Sequence, residues 1–434
     1  MDEFTIGIIG TVALVALVFA GVRVFYAAAF VGLVGLVTLI GWDAGAGLAG
    51  TVPHSKTVTY TLSVLPMFIL IGYLAFHAGI TESLFDAARK WLGWVPGGLA
   101  VATVIAATGF AAVSGASVAT AAVFARVAVP DMLRYGYSRR LAAGVVAAGG
   151  TLASLIPPSA LLVIYAIIVE ESVGALLVAG FLPGVVSAAV YVGIIVGMSM
   201  LNPKLGRPIT GFSWGERLRS LPGTLPIVAV VIIIFTAMYY GWATPTEAGA
   251  LGAFVVFVLA LAHGMRWHSL REALLESAKL TVMIFSIIWG VLLFVRFLGF
   301  AGLPEAFANW VVSLPLPPIL IMIGILLFYT ILGMFMDAIG MMLLTLPVVY
   351  PAVIGLGYDP IWFGIIVVKM AEICLITPPI GLNCFVVNGV RPDIPLTEVF
   401  RGIAPFFVAD VITVGLFLAF PEIILWLPRT MHMG

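Results

Sequence analysis

Two tandem proline pairs set in apolar sequence are the residues with the most chemical promise. They stand in Leu155-Ile156-Pro157-Pro158-Ser159 and in Leu375-Ile376-Thr377-Pro378-Pro379-Ile380-Gly381-Leu382-Asn383. Each pair removes two amide donors and clashes with the preceding turn, so carbonyl oxygens just upstream lose their helical partners. Freed carbonyls suit a cation, which makes Pro157 and Thr377 candidate ion-site positions. The helix that restarts after a break offers free amides and a partly positive end, which suits an anion. Pro158, Ser159, Pro379 and Asn383 are therefore candidates for holding an acidic substrate. The competing reading is a plain kink in a packed helix.

Further polar residues fall inside apolar stretches. Asp337 follows Gly333-Met334-Phe335-Met336, where a carboxylate in low dielectric needs a partner or a cation. Sodium would serve, and a protonated or solvated aspartate is the alternative. Ser114 and Ser117 offer oxygen ligands of the kind hard cations prefer, although small-residue helix packing explains Ser114-Gly115-Ala116-Ser117 equally well. Arg296 either meets an anionic substrate or snorkels to the interface. Lys369 and Glu372 can pair on one helix at i, i+3. Glu170 and Glu171 mark an outer loop, and Cys374 and Cys384 are packing residues. His54, His77, His263, His268 and His432 form no cluster at metal-ligand spacing. The chain has no phosphate-binding Gly-rich Lys motif, no nucleophile–base arrangement and no basic run for a nucleic acid partner. An enzyme is thereby disfavoured, and the lack of a pore-lining charge ring speaks against a channel.

The elements that must position these residues are membrane helices. Of 434 residues, 62% are hydrophobic and 9% charged, and the mean hydropathy is +1.20, far from the balance of a soluble domain. The reading is an all-α polytopic protein in the lipid bilayer. Ten crossings are expected near 5–22, 24–42, 63–79, 142–168, 173–200, 224–241, 247–264, 274–299, 362–390 and 403–427. Stretches 97–128 and 317–349 are too long for one span and are interrupted at 114–117 and 333–340, so each is expected to be a re-entrant hairpin. Segments 81–95 and 303–314 read as interfacial amphipathic helices, with Trp91, Trp94 and Trp310 as anchors. With the N-terminus outside, fourteen of the twenty Lys and Arg residues fall in inner loops, which places both termini in the periplasm.

A shift of 221 positions superposes Pro130 on Pro351, Gly136-Tyr137 on Gly357-Tyr358, and Pro157-Pro158 on Pro378-Pro379. Two repeat units are implied, inverted relative to one another because their hairpins enter from opposite sides. Inverted repeats with broken helices describe secondary transporters. The expected organisation is a scaffold in 1–62 and 201–270, repeats in 63–200 and 271–427, and a tail in 428–434.

Gly109-Phe110 through Thr120, Gly150-Thr151 through Tyr165, Thr244-Pro245-Thr246-Glu247-Ala248, Gly333 through Asp337, and Glu372 through Val387 resemble the large subunit of tripartite ATP-independent periplasmic (TRAP) transporters. The resemblance covers essentially the full chain. It implies an elevator-type, sodium-driven carrier that takes an acidic metabolite from a soluble periplasmic binding protein and works with a small four-helix membrane subunit. Because the sequence opens on large-subunit helices, that partner is expected on a separate chain. The family's ion sites, at hairpin tips and broken helices, fall on Ser114, Ser117, Pro157, Ser159, Asp337, Thr377 and Asn383. Lys369 departs from the family, whose corresponding segment is often uncharged apart from its glutamate. The runner-up is a stand-alone carboxylate carrier that needs no binding protein.

Overall fold

The computed structural model describes residues 2–431, and all of its regular secondary structure is helical. His432 and the end of the 428–434 tail lie outside the described residues. Among the described residues, six helices are individually long and apolar enough to cross a membrane, or seven if the bent pair Trp214–Ser220 and Leu225–Tyr239 makes one span. The protein is thus a multi-pass membrane protein. Several expected crossings are shorter: Glu3–Phe19 and Val24–Ile40 have 17 residues each, at the lower limit for a bilayer.

Local chemistry explains where helices start and stop. Thr244 and Glu247 form a capping box around Pro245, with the Thr244 amide donating to Glu247 Oε2 at 2.8 Å. The Thr-Pro-Thr-Glu-Ala string is thus a helix-start signal. Ser213 and Glu216 do the same for the short helix Trp214–Ser220. Where helices must approach closely, glycine permits it: a Cβ on Gly32 would strike the backbone of Leu293 and Phe294, and one on Gly290 the backbone of Phe25. Helix Val24–Ile40 consequently packs backbone to backbone on Trp267–Phe300.

Several boundaries differ from expectation. Helix Trp42–Thr57, with Pro53 inside it, occupies a stretch that hydropathy left empty because its sequence is too polar and glycine-rich to stand out. The expected crossing 274–299 is the end of a 34-residue helix, Trp267–Phe300, whose first turns carry charged residues. The expected crossing 403–427 divides into Leu396–Ala419 and Glu422–Thr430 at Phe420 and Pro421. The amphipathic segments are helices Ile80–Leu92 and Leu303–Ser313. Trp91 is partly buried, donates to the Arg217 carbonyl at 3.1 Å and meets Trp214 edge-on. Trp94 and Trp310 are exposed.

Two helix pairs turn back at the predicted interruptions. Gly98–Ser114 and Ser117–Arg134 meet at Gly115, and Pro318–Gly333 and Ala338–Gly355 meet across 334–337. Helices Arg139–Thr151 and Ala160–Val169 flank the first proline pair, and Pro360–Ile376 and Leu382–Val390 the second, each pair with a cis peptide bond between its prolines. Ser117 and Ala338 start helices of 18 residues each at the same 221-residue spacing seen in the sequence, as Arg139 and Pro360 start theirs. Ile80–Leu92 is tied to the first helix pair by Arg89, whose guanidinium sits 2.8 Å from Asp131 and 2.7 Å from Asp86.

Candidate functional site

The first turn and the first break belong to one structure. Gly115 has φ of +57°, in the left-handed region open to glycine, and a Cβ there would collide with the Pro158 carbonyl. Gly72 likewise lies against Ser114, and Gly150 against Ala121 and the Ser117 carbonyl. Ser114 Oγ and Thr120 Oγ1 are 3.0 Å apart, and Thr120 Oγ1 donates to the Ala116 carbonyl at 2.9 Å. Ser117 is half-buried beside them. Pro157, Pro158 and Ser159 are fully enclosed, and the Ser159 hydroxyl donates to the Ser154 carbonyl while accepting from the Leu162 amide at 3.3 Å. That carbonyl is therefore already engaged, although a carbonyl oxygen keeps a second lone pair for an ion.

The second break is more open. Thr377 is buried and donates to the Ile373 carbonyl at 2.5 Å, but Pro378, Pro379 and Ile380 are exposed. Gly381 then opens helix Leu382–Val390 with φ of +49°. Asn383 is fully buried, and its Nδ2 donates to the Ala147 carbonyl at 3.1 Å, joining the second break to the helix that leads into the first. Its Oδ1 is buried without a partner, an orphaned acceptor of a kind that seldom goes unexplained.

The two turns are not equivalent. Gly333 packs so tightly on helix Pro360–Ile376 that any Cβ there would overlap Cys374. Asp337 does not sit in an enclosed low-dielectric pocket: it is exposed and serves as the N-cap of Ala338–Gly355, accepting from the Gly340 amide at 2.9 Å. A capping carboxylate satisfies its helix end without a cation.

Arg296 is separate from these residues. It lines an apolar cavity of about 610 Å³ between Trp267–Phe300, Ala160–Val169 and Ala338–Gly355, and its side chain makes no ion pair among the described residues. Glu171 is more than a solvated loop residue, since it is half-buried and accepts from the Tyr350 hydroxyl at 3.3 Å.

Sequence reasoning found one buried ion pair and missed its third member. Lys369 Nζ donates to Glu372 Oε2 at 2.8 Å, as the i, i+3 spacing implied, and it also lies 2.7 Å from Asp410 Oδ1. Tyr191 donates to the same Asp410 oxygen at 2.8 Å. A carboxylate set among apolar residues early in the expected crossing 403–427 was the available signal.

The matching family model, "Tripartite ATP-independent periplasmic transporter, DctM component", spans residues 11–423. A C4-dicarboxylate TRAP transporter large permease protein DctM of Pseudomonas aeruginosa is 36% identical over 377 residues, covering 86% of this chain and 88% of the relative. A sialic acid TRAP transporter large permease protein SiaM of Vibrio cholerae is 29% identical over 416 residues, covering 95% and 96%. A 2,3-diketo-L-gulonate TRAP transporter large permease protein YiaN of Escherichia coli is 30% identical over 371 residues, covering 85% and 86%. Among solved structures, the Alcanivorax borkumensis YdaH transporter shares the fold at a TM-score of 0.57 and 13% identity, over 88% of this chain and 90% of that one. These relatives are transporter permease subunits, not enzymes. With both helix breaks and the strings around them falling inside the matched residues, the chain belongs to the DctM family of tripartite ATP-independent periplasmic transporter components.

Proposed function

We propose that the chain imports a small acidic metabolite, a carboxylate or sugar acid, across the inner membrane by sodium-coupled elevator transport. The observation that carries this reading is the joining of the two breaks through Asn383 and Ala147, with the first turn closed over Pro158. Such a unit offers backbone carbonyls, hydroxyls and helix starts to an ion and an anion together. The relatives' named cargoes, a C4-dicarboxylate, sialic acid and diketogulonate, all carry acid groups and support an anionic substrate.

Ser114, Ser117, Pro157, Gly333, Asp337 and Thr377 would supply side-chain or backbone oxygen, the ligand type that sodium, a hard cation, prefers. Pro158, Ser159, Pro379 and Asn383 would face the substrate, with Pro379 the most accessible. Arg296, unpaired at its cavity, would meet the anion on entry. Residues 63–200 and 271–427 form two inverted repeats that slide as one body against a scaffold of 1–62 and 201–270. Sodium favours the loaded, closed carrier because a ligand shifts an equilibrium only by its differential affinity for the two states. The partners are a periplasmic binding protein and a small four-helix membrane subunit on a separate chain, with both termini of this chain periplasmic. The tripartite family description disfavours a carrier that works alone.

The test is uptake of a C4-dicarboxylate and of sialic acid into proteoliposomes holding this chain with its two partners, with and without an inward sodium gradient. Uptake should require sodium and the binding protein, and Asp337→Ala should abolish it. Sodium-independent uptake without the binding protein would overturn the reading.

A further inference from the structure

Lys369, Glu372 and Asp410 are the only charged side chains among the described residues that are buried, and each is completely so. One ammonium faces two carboxylates, so full ionisation leaves a formal charge of −1 in a buried helical core. An uncompensated buried charge is strongly destabilising. Glu372 Oε1 and Asp410 Oδ2 are both buried with no hydrogen-bond partner. A single proton supplies the missing positive charge and turns one of the orphaned oxygens into an O–H donor.

We propose that this cluster is a proton-binding site, with the proton held on Glu372. Asp410 Oδ1 already accepts from Tyr191 and lies against Lys369, two donors that hold its ionised form, whereas Glu372 Oε2 has Lys369 alone. A hydronium ion gives its proton to Glu372 Oε1, water is released, and the cluster's charge goes from −1 to zero. The new O–H then occupies the orphaned position.

Among the described residues, the surroundings contain no other buried charge to do this, and helix Glu422–Thr430, which also packs on Pro360–Ile376, pairs its Arg429 with its own Glu422 at an exposed position. Helix Val173–Leu201 contributes Tyr191, whose ring also lies 5.5 Å from the Lys369 ammonium. Arg139–Thr151 contributes the Thr151 hydroxyl, 3.4 Å from that of Tyr191, and its Arg140 pairs with Glu398 of the helix carrying Asp410 at an exposed end. Pro318–Gly333 turns Tyr329 to Thr345, Ala338–Gly355 turns Tyr350 to Glu171, Ala160–Val169 turns Tyr165 to the Pro360 carbonyl, and Leu382–Val390 turns Cys384 to the Ile376 carbonyl. A bound sodium ion is the competing source of positive charge, but it needs a shell of several oxygens where only two are orphaned. The site rests on this geometry and not on sodium coupling, so it stands or falls separately from the transport reading.

Infrared spectroscopy of the purified full chain decides it, because Glu372 and Asp410 are the only buried carboxylates among the described residues. The wild type should show the carbonyl stretch of a protonated carboxylic acid at about pH 8, far above the ordinary carboxylate values of about 4, unchanged when choline chloride replaces sodium chloride. Glu372→Gln should lose it, and so should Asp410→Asn, which leaves a neutral Lys369–Glu372 pair. The absence of the band in the wild type, its persistence in folded Glu372→Gln, or its disappearance on adding sodium would each overturn the proposal. Should neither variant fold, the wild-type spectra in the two salts still separate a bound proton from a bound sodium ion.

Discussion

The side-chain amide of Asn383 donates to the backbone carbonyl of Ala147 across 236 positions of sequence, at 3.1 Å and with no solvent access. This bond is a direct link between the segments that carry the two proline breaks, alongside that of the Tyr165 hydroxyl to the Pro360 carbonyl. Asn383→Ala should cost about 0.5–1.5 kcal/mol, since it removes a buried hydrogen bond. Asn383→Asp should cost more, because an acceptor would face an acceptor and bring a buried charge. Thermal unfolding in detergent checks both, and equal, negligible losses would show that the link does not matter.

Gly144 and Gly402 mark the place where helices Arg139–Thr151 and Leu396–Ala419 touch backbone to backbone. A Cβ on Gly144 would strike the Gly402 carbonyl, and one on Gly402 the Arg140 carbonyl. Gly144→Ala and Gly402→Ala should each destabilise by about 1–3 kcal/mol through overpacking. The double variant should lose less than the sum, because the first substitution already separates the helices. Strict additivity in unfolding midpoints would contradict the shared contact.

Asp337 can be tested for two roles at once. Losing the N-cap in Asp337→Ala should cost about 0.5–2 kcal/mol, whereas Asp337→Asn keeps a competent cap and should stay close to wild type. Sodium-dependent uptake should fail in both variants if the carboxylate's charge binds the ion. Normal uptake by Asp337→Asn would reduce Asp337 to a capping residue.

Arg391 clasps Asp393 with two 2.7 Å contacts in the loop before helix Leu396–Ala419, and this guanidinium holds the Asp393 carboxyl below the usual carboxylate range. A depressed folded-state value means the stabilising contribution is complete above the unfolded value, about 4, and is lost as pH falls through the folded one. Arg391→Gln should therefore lower the unfolding midpoint at neutral pH, only slightly because the pair is partly exposed, and should converge with the wild type as pH falls below about 4. An unchanged acid limb would count against the pairing.

Properties that depend on a few consecutive residues were legible in the sequence. Apolar runs declare membrane helices, Ser114-Gly115-Ala116-Ser117 declares a chain reversal, and Pro157-Pro158 and Pro378-Pro379 declare breaks, because helix propensity and missing amides act locally. The Lys369–Glu372 pair was legible for the same reason, being one helical turn apart. Helix Trp42–Thr57 was not, since its polar, glycine-rich sequence owes its helix to packing on neighbours. Only the tertiary structure decided that the first break is sealed by Gly115 while the second leaves Pro378 and Pro379 exposed, though both present the same proline pair. Only it brought Asp410 to Lys369, and Asn383 to Ala147, from distant positions. Burial and long-range partners are set by how whole helices stack, and no window of sequence contains that information.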